Sequence, residues 1–244
     1  MNPIKTFGAI ALLASLSSCA DNGTPGAGVT GAAPAPSVDA TWLTLAPPPG
    51  DCQLDAREPV DAFIIAMSHK GIRDSAAVMA IWNDCASLAA VRQGKETFTS
   101  PVVVVTEVLH HGHEFRVPRS RATILDQIAA ALSPAGSDAF NGSVGNFAKD
   151  SGGSSAKADR KYLGMQARDE NGAYFGMLSS LSNDKLSLHI GIVVALTELR
   201  GRVLEIGVFA DMSGGMTVDR LVATAKDVTA RILAANPEES GNQI

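Results

Sequence analysis

From Pro59 onward the apolar residues fall into runs whose length and spacing separate strands from helices. Val60 to Met67 is broken only by Asp61 and centred on Phe63-Ile64-Ile65, a length that suits a buried strand. A helix is expected next, because Asp74 or Ser75 can cap it, Val78, Ile81, Trp82, Cys85 and Leu88 share one face, and Gly94 stands where a helix stops. Pro101 to Leu109, with Val102-Val103-Val104-Val105, is β-branched enough to be the second strand. Pro118 and Ser120 then open a helix striped by Ile124, Ile128, Ala131 and Leu132 and closed by Pro134.

Between Ser133 and Arg160 nearly every residue is small or polar, which predicts a long flexible loop over 133–160. Tyr162 to Arg168 and Ala173 to Leu181 read as a hairpin through Asn171-Gly172, a pair that tolerates positive φ. Leu186 to Thr197 and Arg202 to Asp211 meet around Gly201, and alternation along the second places one face on a core. A closing helix from about Met216 to Ala235 carries Val218, Leu221, Val222, Ala225, Val228, Ile232 and Leu233 on one stripe, and Asn236-Pro237 ends it. A four-strand meander cannot cover its own apolar face, so the last helix should lie across it. The expected class is α+β, a mainly antiparallel sheet with a C-terminal four-strand meander, packed by about three helices in a single periplasmic domain over 47–240.

The N-terminus predicts export. Lys5 precedes the apolar run Phe7 to Leu16, which is too short to span a bilayer. The run ends in Leu16-Ser17-Ser18-Cys19, which resembles the lipobox of bacterial lipoproteins. The resemblance implies a signal peptide over 1–18, cleavage before Cys19 and lipidation of its thiol, with chains that hold the protein on a membrane. Ala20 directly after that cysteine, where an aspartate favours inner-membrane retention, implies the periplasmic face of the outer membrane. Residues 19–46 then form the lipidated N-terminus and a flexible linker of Gly, Ala and Pro, poor in large apolar side chains until Trp42.

Composition narrows the partners. Twenty Lys+Arg against 25 Asp+Glu give a net charge of −5 and no attraction for a polyanion, so nucleic acid is not expected. Twelve aromatics, two of them Trp, supply no stacking platform. In an oxidising compartment Cys52, placed before the first strand, and Cys85, placed inside a helix, should pair as a disulfide.

Few motifs carry chemistry. Ser154-Ser155-Ala156-Lys157 has Ser-x-x-Lys spacing but sits in a Gly/Ser stretch without Lys-Thr-Gly. Gly142-Ser143-Val144-Gly145 lacks nucleophile-elbow spacing, and Met212-Ser213-Gly214-Gly215-Met216 has no lysine for a phosphate. The unusual cluster is Glu107-Val108-Leu109-His110-His111-Gly112-His113-Glu114. On an extended chain His111 and His113 point the same way, and Glu107 or Glu114 could add oxygen for Zn, Cu or Ni. The competing reading is a solvated turn after strand two. His69 and His189 are isolated rings at strand ends or core edges.

The stretch Cys85 to Gly94, the Ala195 to Leu204 hairpin and the closing helix with Ala234-Ala235-Asn236 look like exported bacterial α+β domains, and the general layout is similar to the PsbP-like fold. That resemblance rests on apolar positions and brings no catalytic residue with it. The expected function is a lipid-anchored cell-envelope protein, a non-catalytic binding or accessory module without a cofactor, contacting the membrane through its lipid and a further envelope protein. The alternative is a metal-binding or metal-dependent hydrolytic protein using His110, His111, His113 and Glu114.

Overall fold

The computed structural model describes residues 40–70, 76–94, 100–110, 112–114, 116–131, 157–182 and 187–237. After a short 3-10 turn at Ala40–Trp42 come β1 (Asp51–Gln53), α1 (Pro59–Lys70), β2 (Ala76–Asp84), α2 (Cys85–Arg92), β3 (Val102–His110), β4 (His113–Glu114) and α3 (Arg121–Ala131). The chain continues through β5 (Lys157–Arg168), β6 (Ala173–Ser182), β7 (Ser187–Leu199), β8 (Arg202–Asp211) and α4 (Val218–Ala235). All strand pairs are antiparallel, in the order β1-β2-β3-β8-β7-β6-β5, with β4 folded back on β3. The class is α+β, with the expected meander β5 to β8 and four described α-helices rather than about three.

Helices cover both faces of the sheet. On one face Leu221, Ala225, Val228 and Ile232 of α4 pack on Val103, Val105, Tyr174, Val193, Ala195, Leu204, Ile206 and Val208. Burying each such Leu, Val or Ile contributes about 1.5 to 3 kcal/mol. Thr217 caps α4 by accepting from the Arg220 amide at 3.3 Å. The opposite face holds two smaller clusters. Leu125 of α3 meets Tyr162, Phe175, Met177, Ile192 and Val194, while Leu54, Ile81 and Leu88 gather Ile64, Ile65, Val102 and Val104. Strand β7 is therefore buried at every position from Gly191 to Leu199.

Two elements differ from the sequence reading. Val60 to Met67 is not a strand but lies in α1, where Pro59 takes the first position and Asp61 the first turn. The helical turn puts Ile64 and Ile65 against the core, leaves Phe63 exposed, and points buried Asp61 at Arg92, which donates to it at 2.5 and 3.1 Å. The expected helix from Asp74 to Gly94 is instead strand β2 followed by helix α2. Strand β2 pairs on both edges, and an irregularity between Val78 and Ala80 shifts its facing, so Val78, Ile81 and Trp82 imitate a helical stripe. Asp84 ends the strand and caps α2 by accepting from the Ser87 amide at 2.8 Å.

Cys52, within β1 rather than before it, and Cys85, at the first residue of α2, form the expected disulfide, with their Cα atoms 4.9 Å apart. Of the expected loop 133–160, residues 157–160 belong to β5 and the rest lie outside the described residues. The hairpin at Asn171-Gly172 forms without positive φ; the Asp169 carboxylate instead accepts from the Asn171 and Gly172 amides, each at 3.0 Å. Positive φ occurs at the β7–β8 turn, in Arg200 (53°) and Gly201 (80°).

Candidate functional site

The histidine cluster and the longest-range polar contacts converge at the β7–β8 turn. Strand β3 is buried through Leu109 and becomes exposed at His110; Gly112, at φ 77°, reverses the chain, and His113 pairs back across to His110. His110, His113 and Glu114 are exposed, and His111 lies outside the described residues. Beyond β4, Arg116 bridges to Arg202, and the Val117 amide donates to the Gly201 carbonyl at 2.6 Å. Ser120 then caps α3, whose Arg121 donates through Nε to the Glu198 carbonyl at 2.8 Å.

Beneath this hairpin lies an ion cluster whose Arg202 and Glu107 are buried and whose Glu114 and Arg116 are exposed. Arg202 reaches Glu107 Oε1 at 2.9 Å with Nη1 and Glu114 Oε2 at 2.8 Å with Nη2. Arg116 Nε donates to the other Glu114 oxygen at 2.6 Å. The Trp42 ring covers the Arg202 guanidinium at 4.4 Å from its centroid. Burial pushes the Glu107 carboxyl up, and the charge and hydrogen bond of Arg202 oppose that push. Both carboxylates that the sequence offered as metal ligands are thus engaged by arginine. Among the described residues, no three His, Cys, Asp or Glu side chains come together in a group that could hold a metal ion.

The same turn ties down both ends of the described chain. Arg200 donates to the Trp42 carbonyl at 2.7 Å and to the Pro237 carbonyl at 3.3 Å. Asn236, which ends α4, accepts from the Thr44 amide at 2.7 Å and donates to the Thr44 and Ile232 carbonyls, each at 2.8 Å. With Leu43 in the core, residues 42–44 are fixed to the sheet.

On the opposite face, Glu205 stands in register between Thr106 of β3 and Leu196 of β7. Its Oε2 is buried without a hydrogen-bond partner, and burial pushes its carboxyl up to about 7. Alternation along Arg202 to Asp211 gives Glu205 no sign that both faces of its strand are covered.

Other candidates are dispersed. Cys19, Ser154, Ser155 and Gly142 to Gly145 lie outside the described residues. Lys157 opens β5, and Met212 to Met216 lead into α4. His69 is in α1, and His189, on β7, shares a hydrogen bond at 3.0 Å between Nδ1 and Ser180 Oγ.

No family model and no curated protein matches this chain. Among solved structures, the solution structure of cyanobacterial PsbP (CyanoP) from Synechocystis sp. PCC 6803 is similar to it at 13% sequence identity, with 77% of this chain and 81% of that chain covered and a TM-score of 0.31.

Proposed function

We propose that this chain is a lipid-anchored cell-envelope protein, held through Cys19 on the periplasmic face of the outer membrane, whose α+β domain is a non-catalytic binding or accessory module for another envelope component. The leader ending in Leu16-Ser17-Ser18-Cys19 carries this reading. The small-residue linker after it runs toward Trp42 and Leu43, which are fixed on the sheet, an arrangement suited to a tethered domain. The Cys52–Cys85 disulfide suits an oxidising compartment. The accessory role is supported by the arginine pairing of Glu107 and Glu114, which spends the carboxylates beside the histidines on structure.

The test is Cys19→Ala in the producing bacterium. The wild type should incorporate labelled palmitate and fractionate with membranes, and the variant should do neither. Equal labelling and fractionation of the two proteins would refute the anchor.

One observation favours a second reading, a Zn, Cu or Ni site for binding or hydrolysis: the cross-strand pairing of His110 with His113 at an exposed tip. It is tested by whether Zn²⁺ or Ni²⁺ raises the melting temperature of the untagged protein.

A further inference from the structure

We infer that the corner formed by the segment after β4 and the β7–β8 turn is a basic contact surface for the anionic lipid headgroups of the membrane that carries the anchor. This deepens the anchored reading and rests on it for the orientation of the domain. The whole chain is acidic, at −5, yet His110 to Arg121 and the turn Glu198 to Arg202 together contain five arginines and three histidines against two acids, Glu114 and Glu198, and the Glu198 carboxylate accepts from the Gly201 amide at 2.5 Å. Arg116, Arg119 and Arg200 are exposed and Arg121 is half-buried. The fold gathers them around one turn: Arg116 bridges to Arg202, Val117 bonds Gly201, and Arg121 reaches the Glu198 carbonyl. Glu114 is held between Arg116 and Arg202, so it does not stand against the patch as a lone negative charge.

Position makes the surface specific. The polypeptide from Cys19 arrives at this corner, because Arg200 holds the Trp42 carbonyl beside Gly201. About 20 residues separate Cys19 from Ala40, and a flexible coil of that length would span on the order of 25 Å, within reach of the bilayer that the lipid occupies. Arginines near an anionic leaflet each strengthen attachment by about fivefold at low salt, and the attraction is screened beyond a Debye length. Asp169 and Glu170 lie at the same end of the sheet but across β7, where Asp169 is taken by Lys226 at 3.2 Å. Arg200 donates to the carbonyl of Pro237, which two acids, Glu238 and Glu239, follow in the sequence, so Arg116 and Arg119 are taken as the centre of the surface.

The experiment uses the unlipidated chain from residue 20 to 244, which contains every described strand and helix and all the core clusters, so any vesicle binding is independent of the anchor. Flotation with vesicles of phosphatidylcholine alone, and with about 30% phosphatidylglycerol, is measured in 50 and 300 mM salt. The chain should float with the anionic vesicles at low salt, and should lose that binding at high salt and on neutral vesicles. Arg116→Glu with Arg119→Glu should weaken binding by about tenfold or more. Arg57→Glu in the turn before α1 with Lys161→Glu in β5, an equal charge change on exposed side chains away from the corner, should leave it nearly unchanged. No flotation with anionic vesicles, as expected if the corner took an acidic protein instead, would overturn the inference, as would equal losses in the two double variants. Failure here leaves the Cys19 reading standing, and failure of palmitate labelling leaves the vesicle result intact.

Discussion

Glu205→Gln should make the protein's stability less dependent on pH, in a direction set by the burial of this side chain. Glu205 sits between Thr106 and Leu196 with one oxygen unpartnered, and burial raises its carboxyl from 4.5 to about 7. The folded protein therefore keeps a proton that the unfolded chain has released. Stability from this group is complete below about 4.5 and is lost as pH rises through about 7. At 1.36 kcal/mol per tenfold ratio, the whole loss is about 3 kcal/mol, and most of it, about 2 to 3 kcal/mol, falls between pH 5 and 8. Glutamine keeps the shape without the titration. Urea unfolding at pH 5, 6, 7 and 8 with the disulfide intact would give both stabilities. Wild type minus variant should fall by about 2 to 3 kcal/mol across that range, roughly 1 M in urea midpoint. Asp211, held low by its hydrogen bonds from Ser213, acts in the acid range and cancels in the difference. A difference that stays flat from pH 5 to 8 would refute the reasoning, because it would mean Glu205 is as well solvated folded as unfolded.

Arg202→Met should destabilise the fold by about 3 to 5 kcal/mol by stranding buried Glu107, and adding Glu107→Gln should recover part of that loss, both read by urea unfolding. Replacing Cys52 and Cys85 by alanine should cost about 3 to 4 kcal/mol on the chain-entropy account of a link spanning 33 residues, seen as a lower melting temperature without reductant. Zn²⁺ or Ni²⁺ at a modest excess should leave the melting temperature of the untagged protein nearly unchanged. A rise of several degrees, corresponding to about 2.7 kcal/mol at a hundredfold excess over Kd, that vanishes in His110→Ala with His113→Ala would promote the metal reading to first place.

The chain's own sequence determined the elements whose local signals agree. The valine run of β3, the Ser120 cap of α3, the β7–β8 turn at Gly201 and the long stripe of α4 each unite propensity, period and a stop signal within one window. The disulfide was legible from the cysteine count together with the expected export to an oxidising compartment. Tertiary structure decided the first two elements, because Val60 to Met67 and Ala76 to Asp84 are short apolar runs that fit either period. Phe63-Ile64-Ile65 became helical where Asp61 could meet Arg92, and Val78 to Trp82 became a strand where β1 and β3 could pair with it. The polar centre was decided the same way. Glu107 and Arg202 are 95 residues apart, and no local pattern records that they will share a buried bond. Glu205 alternates along β8 as a solvent-facing residue would, but helices cover both faces of this sheet, so the residue that alternation assigns to water is enclosed.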